Sequence, residues 1–212
     1  MTTIYLIRHG ETDTNSTRRI AGRYQANLTE LGLWQAALTA EYLRDIPFDA
    51  VYASNLTRAI DTAKIIVKPY GLPVYIESGL AEINLGDWEN LTMPEVQAGW
   101  PASYDMWMHH QGQCVCPNGE SVPQVQARFA ATLQQIACYH EGKNICVVSH
   151  GLAIKTFYAK VCNYSLDTFR SLPYSSNASV SIFTCENGAF ALQAYNQDAH
   201  LGDCKTELFP EA

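Results

Sequence analysis

Apolar positions change their period several times along the chain. Ile4-Tyr5-Leu6-Ile7 makes residues 2–8 a candidate central strand. From Thr29 to about Asp45 the period becomes helical, with Leu31, Trp34, Leu38 and Tyr42 recurring and Thr29 placed as N-cap. Ala50-Val51-Tyr52-Ala53 returns to strand. Ser54 can cap a following helix whose face is Leu56, Ala59, Ile60, Ala63 and Val67, with Gly71 just past its end. Val74-Tyr75-Ile76 is a further short strand. Ser121 opens a long helix with Val122, Val125, Phe129, Leu133 and Ile136 on one side, closed by Gly142. Ile145 to Val148 predicts a strand and Leu152 to about Cys162 a helix. Val180–Thr184 and Phe190–Tyr195 form a last strand pair around Asn187-Gly188, a strong hairpin signal.

Strands therefore alternate with helices until the final hairpin. That order predicts an α/β three-layer sandwich: a mainly parallel sheet, helices on both faces, and one antiparallel edge element. Residues 90–120 interrupt the alternation with Trp100, Pro101, Tyr104, Trp107, His109, His110, Cys114 and Cys116, and are expected to form a lid-like insertion. A length of 212 residues suits one domain, 1–212.

Chemistry gathers where two strands end. The first runs into Arg8-His9-Gly10-Glu11-Thr12 and the later one into Ser149-His150-Gly151. Open α/β sheets bind ligands outside the carboxyl ends of their strands. A histidine offers a nitrogen nucleophile, an arginine a planar fork for phosphate oxygens, and a glycine lets backbone come close to a ligand. An isolated Arg-His-Gly reads equally as a strand end facing water, so the partners downstream decide the matter.

Those partners resemble the histidine phosphatase superfamily, in its phosphoglycerate-mutase-like phosphatase branch. The similar segments are Arg8-His9-Gly10-Glu11-Thr12 with Asn15, Leu28-Thr29 with Gly32 and Gln35-Ala36, and Ala53-Ser54 with Leu56, Arg58-Ala59 and Thr62-Ala63. Leu80, Glu82-Ile83, Leu85-Gly86 and Trp88-Glu89 continue the series. Gly119-Glu120-Ser121, Val147 to Gly151 and Asn177-Ala178-Ser179-Val180 complete it in the family's order. The resemblance implies a phosphoglycerate-mutase-like fold and a metal-independent phosphomonoesterase acting on a small soluble phosphate ester. It implies His9 as nucleophile and transient phosphohistidine, Arg8 and Arg58 as the phosphate clamp, His150 as a second, protonatable histidine, and Glu82 as proton donor. Glu89 is a weaker rival for that last role. Asn15, Gly10, Thr12, Gly151 and Arg23 are the expected substrate contacts. Arg23 could recognise a second anionic group or be a plain loop arginine. The alternatives are a cofactor-dependent phosphoglycerate mutase and a catalytically silent phosphate-binding module.

The bulk numbers narrow the partners. A net charge of −7 excludes a general nucleic-acid or membrane-surface binder, so positive charge must be local, in one cleft. No apolar run approaches the length of a bilayer span. The chain enters a strand at once, without a basic n-region or cleavage site, so a secretory leader is not expected and a cytoplasmic location is. Seven cysteines are then expected as reduced thiols, Cys146 in a strand and Cys138 and Cys162 in helical apolar runs. His109, His110, Cys114 and Cys116 match no standard zinc spacing, and neither metal nor cofactor is expected. A monomer or homodimer is the expected assembly.

Overall fold

The computed structural model describes residues 1–206. Thr2–Arg8 (β1), Ala50–Ala53 (β2), Val74–Ile76 (β3), Asn144–Ser149 (β4), Val180–Glu186 (β5) and Ala189–Gln197 (β6) form one sheet in the order β3-β2-β4-β1-β5-β6. The pairs β3–β2, β2–β4 and β4–β1 are parallel, while β5 joins β1 and β6 antiparallel, as the sequence pattern predicts. β2 is buried throughout and β4 nearly so, as strands covered on both faces must be. At the far edge Asn187 and Gly188 both take positive φ and close the β5–β6 hairpin.

Period-two alternation sorts side chains between two cores. Ile4, Leu6, Tyr52, Ile145 and Val147 join one cluster, with Val125, Phe129 and Leu133 of α6 (Val122–Tyr139) and Ile154 and Phe157 of α7 (Gly151–Val161). Ile7, Val51, Ala53, Cys146 and Val148 point the other way, onto Ala59, Ala63, Ile66 and Val67 of α3 (Thr57–Val67). Among the described residues no helix is long and apolar enough to cross a membrane.

The helix α2 (Glu30–Tyr42) forms where its pattern predicts, but it is turned over. Thr29 caps it by accepting from the Gly32 amide. The buried face is Gly32, Gln35, Ala36 and Thr39, while Trp34 is 67% exposed and Tyr42 46%. Two constraints outrank hydrophobicity here. The loop after β1 comes so close that a Cβ on Gly10 would strike the Gly32 carbonyl, and one on Gly32 would strike the Glu11 carbonyl. Gln35 also crosslinks distant backbone, accepting from the Glu11 amide at 2.8 Å and donating to the Cys204 carbonyl at 2.8 Å.

Two smaller expectations are corrected. Ser54 is not the N-cap of α3; that position is Leu56, without a side-chain bond, while Ser54 Oγ lies 2.5 Å from His150 Nε2. Cys138 is exposed, on the water side of α6. Of the two forms open to residues 90–120, irregular or helical, the helical one predominates: α4 (Met93–Gly99) and α5 (Pro101–His109) bury Val96 and Trp107 in the larger core.

Gly32→Ala is therefore expected to destabilise the protein by about 2 kcal/mol, in the range of core overpacking, with a drop of several degrees in Tm. Trp34→Ser should change stability by less than about 0.5 kcal/mol. Urea unfolding of both variants checks the contrast; a larger loss at Trp34 would mean that its face is covered in solution.

Candidate active site

β1 and β4 are neighbours, and their register sets Arg8 opposite Ser149. The next residues, His9 and His150, thus emerge side by side, with ring centroids 5.1 Å apart. Both are buried. The parallel pairing of two strands, made by apolar residues far from any ligand, is what brings the two imidazoles together.

His9 is held in one orientation. Its Nδ1 lies 2.7 Å from the Gly10 carbonyl, to which it donates, so Nε2 carries the lone pair. Nε2 in turn accepts from Arg58 Nε at 3.2 Å. Burial, then Arg58 and Arg8, push the His9 imidazole well below its ordinary value of 6.5. A neutral nitrogen is what nucleophilic attack requires. The first turn of α3 delivers Arg58, whose Nη1 and Nη2 donate to the carbonyls of Tyr24 (2.9 Å) and Gly22 (2.7 Å). Arg8 Nη1 donates to the Ser175 carbonyl at 2.6 Å. No carboxylate bonds directly to either guanidinium among the described residues. Burial lowers Arg58 to about 10, still charged at neutral pH.

Two buried donors near His9, Arg8 Nε and His150 Nδ1, have no partner, nor has the acceptor Asn177 Oδ1. Unpartnered buried polar groups are costly and call for an explanation at each position. His150 Nε2 is 2.5 Å from Ser54 Oγ, which also accepts from the Leu56 amide at 3.3 Å. A Ser54 hydroxyl that donates to Nε2 leaves the imidazole proton on the unpartnered Nδ1. Burial first, then Arg58, His9 and Arg8, hold His150 well below 6.5, which disfavours the protonated form that the sequence left open.

Glu82 sits across a cleft of about 1050 Å3 that is lined by Arg8, His9, Asn15, Arg58, Glu82 and Gly151, among others. Its Oε1 accepts from the amides of Ile83 (2.8 Å) and Ala153 (3.1 Å), and Oε2 from Leu152 (3.1 Å). The N-terminus of α7 thus orients the carboxyl group. Glu89 does not line the cleft; its Oε1 accepts from the Arg23 amide at 2.8 Å. Asn15 Oδ1 is taken by the Thr12 amide and hydroxyl, which leaves Nδ2 for a ligand.

Three expected contacts lie elsewhere. Gly10 packs on Gly32 and donates its amide to Thr62 Oγ1, so it shapes the turn rather than touching the cleft. Thr12 is buried as the N-cap of α1 (Asp13–Ser16), where it positions Asn15. Arg23 pairs with Glu120 at 3.1 Å and donates from Nε to the Glu82 carbonyl at 3.4 Å, outside the cleft lining. His109 and His110 face solvent while Cys114 and Cys116 are buried, so these four share no centre. Among the described residues no cluster of three or more His, Cys, Asp or Glu could hold a metal ion.

Sequence reasoning gave no role to Asn177. It is buried, lines the cleft, and donates to the His9 carbonyl (3.1 Å) and Asn15 Oδ1 (3.3 Å). Ala178 beside it has φ +56°, a strained value for alanine, and its amide bonds to the carbonyls of Arg8 and His9. The recurring Asn-Ala-Ser-Val segment was the available signal. Trp107, Arg170, Leu172 and Tyr174, which form much of the outer wall, had none.

Comparison with known proteins agrees with this geometry. A family model described as histidine phosphatase superfamily (branch 1) matches residues 4–198. The metal-independent phosphoserine phosphatase of Arabidopsis thaliana is 34% identical over 205 residues, covering 95% of this chain and 84% of that protein. Bacillus stearothermophilus YhfR superimposes with a TM-score of 0.91 at 34% identity, over 95% of this chain and 100% of that one. A mutant phosphoserine phosphatase of Entamoeba histolytica, solved with phosphoserine, gives 0.85 at 29% identity, over 95% and 100%.

The two neutral histidines carry a pH signature. A base whose pKa is depressed by folding takes up protons in the unfolded chain first. Its contribution is complete above about 6.5 and is lost as the pH falls below that value. Unfolding free energy should therefore fall between pH 7 and pH 5. His9→Gln should reduce the slope by about 1.4 kcal/mol per pH unit. Urea melts at stepped pH test this; an unchanged slope would mean that His9 is not held neutral.

Proposed function

The chain belongs to the histidine phosphatase superfamily and is a phosphoric monoester hydrolase, and from that membership we propose how its residues divide the reaction. His9 Nε2 attacks the phosphorus of a small phosphate ester. A nitrogen–phosphorus bond forms, the ester oxygen departs, and it takes the proton of the Glu82 carboxylic acid. Water then attacks the phosphohistidine and gives a proton to the Glu82 carboxylate. The nitrogen–phosphorus bond breaks and orthophosphate leaves. Arg8, Arg58, Asn15 Nδ2 and His150 Nδ1 hold the oxygens of the transferring group throughout. The observation that carries this reading is a neutral His9 lining the cleft together with Arg8 and Arg58, with buried donors on Arg8 and on the adjacent, fully buried His150 left unpartnered.

Side-chain cations do the work of charge neutralisation, in keeping with the metal-independent activity in the name of the Arabidopsis relative. Phosphoserine, the ligand of the Entamoeba structure, is the first ester to test. A cleft of about 1050 Å3 is large enough to admit such an ester. At Gly151, which opens α7, a Cβ would lie 3.3 Å from Arg8 Nε and would press on that guanidinium. Every group in this scheme comes from one chain, so a monomer suffices and a homodimer is compatible. Unbridged cysteines suit a reducing compartment such as the cytoplasm.

His9→Ala should lower turnover by at least about 1000-fold with the fold retained. Brief exposure of the native enzyme to labelled phosphoserine or p-nitrophenyl phosphate should leave acid-labile phosphate on His9. Near-native activity in the variant would overturn the assignment. EDTA should leave the rate unchanged. Loss on chelation with recovery on zinc would contradict a clamp made of side chains.

A further inference from the structure

We infer that Arg128 and Glu120 form a positioning pair that sets the Glu82 carboxyl against the leaving oxygen. The inference rests on Glu82 as the acid. Glu82 occupies an irregular stretch between two single turns, Ser78–Leu80 and Gly86–Trp88, so no helix or strand fixes its backbone. The carboxyl end is anchored by the amides of α7. The backbone end is anchored mainly by one guanidinium from α6, while Arg23 Nε also donates to the Glu82 carbonyl at 3.4 Å. Arg128 Nη1 donates to the carbonyls of Gly79 (3.0 Å) and Ala81 (2.7 Å), and Nη2 to that of Glu82 itself (2.8 Å).

The remaining donors of Arg128 meet Glu120 in a two-point pair, Nε to Oε1 and Nη2 to Oε2, each 2.9 Å. Five N–H groups thus have five acceptors, the full capacity of the side chain. Glu120 Oε2 also accepts from the Asn84 amide at 2.9 Å and pairs with Arg23. Three carbonyls and one amide of residues 79–84 therefore converge on one ion pair. Both side chains are about four-fifths buried, and neither lines the cleft. Burial would raise the Glu120 carboxyl, but Arg128 and the Asn84 amide outweigh it and hold the group below its ordinary value, so the pair stays ionised.

Lysine cannot substitute for Arg128. Its compact ammonium has three donors and no fork, so it cannot hold three carbonyls and a carboxylate at once. A displaced Glu82 would slow the proton-requiring step alone. A general loss of stability would instead slow every substrate alike.

The test is leaving-group selectivity in the full-length enzyme. Phenyl phosphate, whose leaving group needs a proton, is compared with p-nitrophenyl phosphate, whose leaving group needs little help. Single-turnover rates are measured for the native enzyme, Arg128→Met, Arg128→Lys and Glu120→Gln, with Glu82→Gln as reference. Glu82→Gln should lose roughly 100-fold on phenyl phosphate and much less on the nitrophenyl ester. Arg128→Met and Arg128→Lys should show the same selectivity, at least about tenfold. Inhibition by orthophosphate should stay within about twofold of native, because the arginine clamp is untouched. Glu120→Gln keeps the shape and carries the test if the Arg128 variants do not fold. Equal losses on both esters, or native rates in folded variants while Glu82→Gln is selective, would overturn the inference. Absence of selectivity in Glu82→Gln itself would remove the acid assignment and the inference together.

Discussion

Two guanidinium groups lie beside two imidazoles, held by backbone carbonyls and, for Arg58, by His9 Nε2 as well, and the rest of the site depends on that constraint. Arg58 is fixed by the carbonyls of Gly22 and Tyr24, and Arg8 by that of Ser175. Carbonyl oxygens orient a cation without neutralising it, so the positive field remains available to an incoming anion. A direct carboxylate partner would have filled the place of the substrate. Burial first, and then the same field, hold His9 and His150 well below the ordinary imidazole value, which favours a lone pair on His9. It also explains how a chain with a net charge of −7 can attract a phosphate ester.

The loops around β1 serve these carbonyls. The turn after β1 runs tight against α2, which is why two glycines face each other there and why α2 buries polar and small side chains. Ala178 accepts a strained backbone so that its amide can close on the carbonyls of Arg8 and His9. Close backbone approach, a positive-φ alanine and buried polar side chains thus meet around the end of β1.

Much of this was legible in the sequence. Period two and period 3.6 located every strand and the longer helices, and strand-end position singled out His9, Arg8 and His150. Arg58 and Glu82 needed a resemblance, because a helix arginine and a loop glutamate have no local signature. The orientation of α2 was misread because its exposed residues are more apolar than its buried ones; Gln35 and Gly32 are selected by hydrogen bonding and close approach, which a hydropathy pattern does not record. Arg23 was misplaced for a similar reason: its partner Glu120 is distant in sequence, and the pairing arises only when the loops fold together. Arg128 escaped notice because it borders the apolar face of α6, where an arginine reads as an ordinary flank.

The unpartnered donors beside His9 make no distinction between an ester and the anion it yields. Orthophosphate offers Arg8 Nε and His150 Nδ1 the same oxygens, with no alcohol to accommodate. In a cell the enzyme accordingly meets its own product as a standing competitor. Wherever orthophosphate is abundant enough to occupy that place, turnover would depend on the ratio of ester to orthophosphate as well as on the ester level.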